Sequence, residues 1–165
     1  AMNKSTSLAL MAALALLAMR AQEGEALAKV LSAQLERLYV LTKAANDNPG
    51  RKPEAVRARL AEIVGELVSA SPALDPARLH QEAVLIAARA DVREEIDRLL
   101  THLDAARDLI AGGGPVGRKL DFLAQEMARE ANTLCSKSND KTLTATGMDL
   151  RAIIEQFREQ VQNIE

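Results

Sequence analysis

Asp91-Val92-Arg93-Glu94-Glu95-Ile96-Asp97-Arg98-Leu99-Leu100-Thr101-His102-Leu103 carries two stripes at once. Val92, Ile96, Leu99 and Leu103, with Leu85 upstream, recur at helical spacing and form an apolar face. Asp91, Glu95, Arg98 and His102 follow at offsets of 0, 4, 7 and 11. At ~100° per residue they fall within about 60° of one another, bordering the apolar face. The stretch therefore predicts a helix that buries one side and shows chemistry beside it.

The same pattern extends in both directions. Turn clusters at Asn46–Pro53, Ser71–Pro76 and Gly112–Pro115, and a polar linker at Ser136–Asp140, separate five predicted helices. These run over about 5–45, 54–70, 75–111, 116–134 and 145–163. Leu120, Leu123, Met127, Ala131 and Leu134 make a stripe in the fourth. Leu150, Ile153, Ile154, Phe157, Val161 and Ile164 make one in the fifth. The expected fold is all-α, an extended helical hairpin or bundle of about five helices with two long ones, the first and the third.

Composition agrees. Of 165 residues, 48% are hydrophobic and only 2% aromatic, which disfavours a β-sandwich and stacking platforms for bases. One cysteine, Cys135, excludes a disulfide scaffold. A net charge of −2 argues against binding nucleic acid over the whole surface, though not against a local basic patch.

Lys4 and the apolar run from Leu8 to Met19 share features with a secretory leader. The run is too short to span a bilayer, and Leu27, Val30, Leu31, Leu35, Leu38 and Leu41 continue its helical pattern without a cleavage site. It is read as a buried helix, and no membrane partner is expected.

Three polar stripes could carry chemistry. Asp91 and Glu95 could give oxygens to a divalent metal, and His102 could move a proton near neutral pH. Arg118 and Lys119 beside a helix start could receive a phosphate. Arg151, Glu155, Arg158 and Gln162 form the third stripe. The plain alternative for each is a solvated face laced with salt bridges. Cys135 reads as a buried or half-buried thiol in a reducing compartment, His80 as a surface residue, and Phe122 and Phe157 as core or interface.

Arg78-Leu79-His80-Gln81-Glu82, Ala90–Leu99, Thr101-His102-Leu103, Gly117-Arg118-Lys119-Leu120-Asp121-Phe122-Leu123, Gln125-Glu126-Met127, Arg129–Thr133, Ser136-Lys137 and the ending Ile154–Glu165 are ordered blocks. Together they resemble the YicC/YloC family. The likeness is close over about 75–165 and weaker upstream through Met19–Leu27. It suggests a division into 1–74, a long helix with a short second one, and 75–165, the helical carboxy-terminal domain of that family. Cys135 stands where the family often has Gly, and Ala128 where it often has Asn.

The resemblance implies a cytoplasmic endoribonuclease that hydrolyses single-stranded RNA with a divalent cation, Mn or Mg, and a homo-oligomer, a hexamer in the full-length family. It also implies a strand-rich amino-terminal region that these residues do not contain. On this reading His102, Glu95, Asp91 and Arg98 are catalytic. Arg118, Lys119, Arg129, Lys137 and Arg158 hold RNA. Metal ligands come from Glu82, Asp91, Glu94, Glu95, Asp121 and Glu126. A metal-free route, with His102 deprotonating a ribose 2′-hydroxyl, stays open. So does a non-catalytic module for oligomerisation or RNA binding.

Overall fold

The computed structural model describes residues 4–71 and 73–163, with side chains from residue 6 onward. Pro72 and Ile164 lie outside the described residues. Six α-helices occur among the described residues: α1 (Lys4–Asp47), α2 (Pro53–Ala70), α3 (Pro76–Arg89), α4 (Arg93–Gly112), α5 (Gly117–Lys137) and α6 (Lys141–Gln162). A 3-10 turn at Pro49–Arg51 joins α1 to α2. The all-α expectation holds.

The expected third helix is two helices. The Ala90 N–H still bonds back to Ile86 and Ala87. Asp91 Oδ1 then accepts the Arg93 N–H at 2.9 Å. A short polar side chain that satisfies a backbone donor locally competes with the helix ladder, and here it starts α4 afresh. Leu85, expected in the apolar stripe, falls on α3 and is exposed, while Val92, Ile96, Leu99 and Leu103 are buried.

The expected linker at 136–140 is shorter too. Ser136 and Lys137 finish α5. Asp140 accepts the Leu143 N–H at 2.7 Å and caps α6, so α6 begins at Lys141 rather than near Ala145. The α4–α5 turn needs its glycines, because Gly113 and Gly114 have φ of 67° and 82°.

Helix α1 packs on α4 and α6, and α5 packs on α4 and α6, which closes a four-helix ring. Its core holds Leu31, Leu35 and Leu38 of α1, Ile96, Leu99 and Leu103 of α4, Leu120, Met127 and Leu134 of α5, and Leu150, Ile154 and Phe157 of α6. Arg107 of α4 reinforces the α1 contact. It lies 4.5 Å from the Tyr39 ring centroid and 2.8 Å from Glu36. The α2–α3 hairpin has its own small core of Val56 and Leu60 against Ala90.

The expectation of a buried apolar run near the start is not met. Leu8 is 71% exposed and Leu17 63%, and Leu10, Met11, Leu14, Leu16 and Met19 are exposed as well. The reason is length. At ~1.5 Å per residue the 44 residues of α1 span about 66 Å, and the 20 residues of α4 about 30 Å. The first half of α1 overshoots the helices that could cover it.

Leu35→Ala should therefore cost about 2–5 kcal/mol in urea unfolding, as deletion of a fully buried leucine does. In the monomeric chain Leu14→Ser should change stability by less than about 0.5 kcal/mol.

Candidate functional site

Helices α4 and α5 run antiparallel across a short turn, and a row of charges lies along their seam. Glu95 and Glu130 are the buried acids of the chain, each 4% exposed, among the described residues. Both interrupt an apolar stripe. Glu95 stands between Val92 and Leu99, and Glu130 between Met127 and Leu134, at spacings of three and four residues. That interruption is the sequence signal that would have singled out Glu130, which was not among the expected site residues.

Each buried acid is met by a cation from the opposite helix. Lys137 Nζ donates to Glu95 Oε1 at 2.7 Å and to the Asp91 carbonyl oxygen at 3.3 Å. Arg98 reaches Glu130 Oε1 at 3.5 Å and also pairs with Glu94 one turn back. Contact with Glu94 first, and then with Glu130, raises the Arg98 pKa above its ordinary value. Glu95 Oε2 is buried without a hydrogen-bond partner among the described residues. Burying a carboxylate costs several kcal/mol, so the opposing cation is what makes each position tolerable.

The structure brings together part of the expected catalytic stripe. Glu95, Arg98 and His102 share a face of α4. Asp91 does not, because it sits in the bend before α4 with its side chain on the Arg93 N–H. His102 is half-buried, one turn beyond Arg98, and has no hydrogen bond to protein among the described residues.

The carboxylates named for a metal occupy separate places. Glu82 is exposed on α3. Asp91, Glu94 and Glu95 lie at the start of α4 with the partners given above. Asp121 accepts from Arg158 Nε at 3.2 Å and from Gln125 Nε2 at 2.6 Å. Glu126 pairs with Arg129 at 3.4 Å. Among the described residues no three His, Cys, Asp or Glu side chains gather in a way that could hold a metal ion. The expected donors therefore do not fit a divalent cation as one set within this chain.

The cations named for RNA differ in freedom. Lys137, Arg129 and Arg158 are paired as described. Arg118 and Lys119 are exposed in the first turn of α5 and make no ion pair among the described residues. The N-terminus of α5 carries no side-chain cap. Both cations border an open depression of about 610 Å³ with Phe122 and Leu109. Phe122 is 59% exposed there, whereas Phe157 is in the core. Of the third stripe, Arg158 turns to Asp121 on α5 instead of pairing along α6. Cys135 is half-buried, and desolvation raises its pKa against the opposing effect of Arg151.

A helical bundle with acid–base pairs sealed into one exposed seam is the class that fold and site define. Residues 42–165 match the family described as endoribonuclease YicC-like, C-terminal, and the chain belongs to that family. The probable endoribonuclease YicC of Haemophilus influenzae is 40% identical over 149 residues, covering 90% of this chain and 51% of that protein. The protein of the same name from Clostridioides difficile is 34% identical over 147 residues, covering 89% and 50%. The chain thus spans about half the length of the curated relatives it matches.

Lys137→Met should lower stability by about 2 kcal/mol in urea unfolding, because it strands a buried Glu95. Adding Glu95→Leu should recover most of the loss, and no recovery would mean the pair contributes through packing alone. Cys135 should react with iodoacetamide at pH 8 more slowly than a free thiol, since burial keeps it protonated.

Proposed function

We propose that this chain is the helical half of a cytoplasmic endoribonuclease that cleaves phosphodiester bonds of single-stranded RNA. The family supports the reaction class. The observation that carries the reading is the seam, where Glu95 and Glu130 fix Lys137 and Arg98, and where His102, one turn beyond Arg98, is an imidazole that no protein group engages among the described residues.

Imidazole suits proton transfer near neutrality. His102 takes the proton of a ribose 2′-hydroxyl, whose oxygen attacks the adjacent phosphorus. The P–O5′ bond breaks, and the leaving oxygen takes up a proton. The products are a 2′,3′-cyclic phosphate and a 5′-hydroxyl. Arg98 faces solvent and steadies the charge that grows on the phosphoryl oxygens. Arg118 and Lys119 hold the strand at a distance through its phosphates. Among the described residues the carboxylates do not gather into a set that could hold a divalent ion, so no step is assigned to one. Dependence on Mn or Mg is an arm of the test. Hydrolysis by an activated water can leave a 3′-hydroxyl instead of the cyclic phosphate.

A second reading rests on the bare apolar half of α1. Monomers seldom expose so continuous an apolar surface. We propose a homo-oligomer in which this half is covered, and a charged seam that serves assembly rather than catalysis is the alternative role.

The test is cleavage of end-labelled single-stranded RNA by the chain and by His102→Ala, with Mn, Mg or chelator. A catalytic His102 should lower turnover about 10²–10⁴-fold with oligomer mass unchanged. Equal cleavage by the variant would overturn the role of His102. Loss of cleavage together with a changed mass would favour the assembly role.

A further inference from the structure

A cavity of about 350 Å³ lies on the α2 side of the bundle, away from His102. It is lined by Gly50, Ala55, Arg59, Asn139, Asp140 and Lys141. Its walls come from the turn before α2, the first turns of α2, and the turn between α5 and α6. The approach of these turns is close. A Cβ on Gly50 would stand 2.6 Å from Asp140 Cγ. Asn48 ties the walls together, accepting the Gly50 N–H at 2.7 Å and donating to Asp140 Oδ1 at 3.4 Å.

Unused donors meet here. Asn139 Nδ2 is buried and has no acceptor. Helix α2, 18 residues long, has no side-chain cap, so the Glu54 and Ala55 N–H groups have no intrahelical acceptor. Arg59 follows one turn later, and its contact with Glu62 at 3.4 Å is between two largely exposed groups. Lys141 makes no ion pair among the described residues. The acid in the lining, Asp140, is already committed to the Leu143 N–H and to Asn48. Two cations, Arg59 and Lys141, thus line one space with Asn139 and with Ala55, whose N–H has no intrahelical acceptor.

We propose that this cavity is an oxyanion site that takes a phosphate group. A phosphodiester offers two charged non-bridging oxygens on a tetrahedral centre, which Arg59 of α2 and Lys141 of α6 can meet from two walls. The occupant is a backbone phosphate of bound RNA, and this part rests on the RNA reading above. Asn139 follows Lys137 by two residues, which puts the cavity beside the end of α5 where Lys137 meets the start of α4.

The experiment has two arms. Inorganic phosphate is titrated into the ¹⁵N-labelled chain at constant ionic strength. Saturable shifts are expected at the Asn139 side-chain amide, Gly50 and Ala55. They should weaken at least tenfold in the Arg59→Gln, Lys141→Gln double variant, whose fold is checked by circular dichroism. Absence of saturable shifts, or shifts indifferent to the substitutions, overturns the site. In the second arm, binding of single-stranded RNA is measured against salt. Losing one phosphate contact should reduce the slope of log K on log [salt] by about 0.7. An unchanged slope with RNA still bound overturns RNA as the occupant, while the phosphate titration stands. If the wild-type chain binds no RNA, RNA falls as the occupant together with the reading above, and the phosphate arm still decides the site.

Discussion

The hydrogen bond from the Arg93 N–H to the Asp91 side chain separates the molecule into its working parts. Were the ladder continuous there, α3 and α4 would form one rod. The break lets α3 fold with α2 around a small core of their own, while α4 joins α1, α5 and α6 in the bundle. The backbone at the break is also used, because the Asp91 carbonyl accepts from Lys137 and draws the end of α5 to the start of α4. One local competition for a donor thus sets the register in which α4 meets α5.

That register gives the seam its character. Glu95 and Glu130 stand at positions where periodicity calls for an apolar side chain. Each survives burial because a long basic side chain from the neighbouring helix reaches it. Arg98 and Lys137 are correspondingly held, with much of their rotamer freedom already spent. Side chains fixed in this way lose little further freedom on meeting another group. Glu95, which sequence spacing offers as a metal ligand, pairs with Lys137 inside the protein.

The two ends of the chain's helical architecture differ in how complete they are. The bundle half of α1 has one face covered, with Leu31, Leu35 and Leu38 in the core. The first half of the same helix presents leucine and methionine to solvent, because no other helix reaches so far. Alanine and leucine suffice to make such a segment helical, since helix propensity is local. Burial is not local, and nothing within the described residues supplies it.

The sequence by itself determined the helical class, the turn clusters that end helices, and the apolar stripes of α4, α5 and α6, because all of these follow from spacing along one chain. It also showed Glu95, Arg98 and His102 on a common helical face. Tertiary structure alone decided that Glu130 is buried opposite Arg98, that Arg158 turns to Asp121, and that the cited carboxylates lie apart. The physical reason is that Asp and Glu at helical spacing read the same whether they cap a backbone donor, neutralise a cation from another helix or face water. Only the neighbour packed against them, distant in sequence, distinguishes these states.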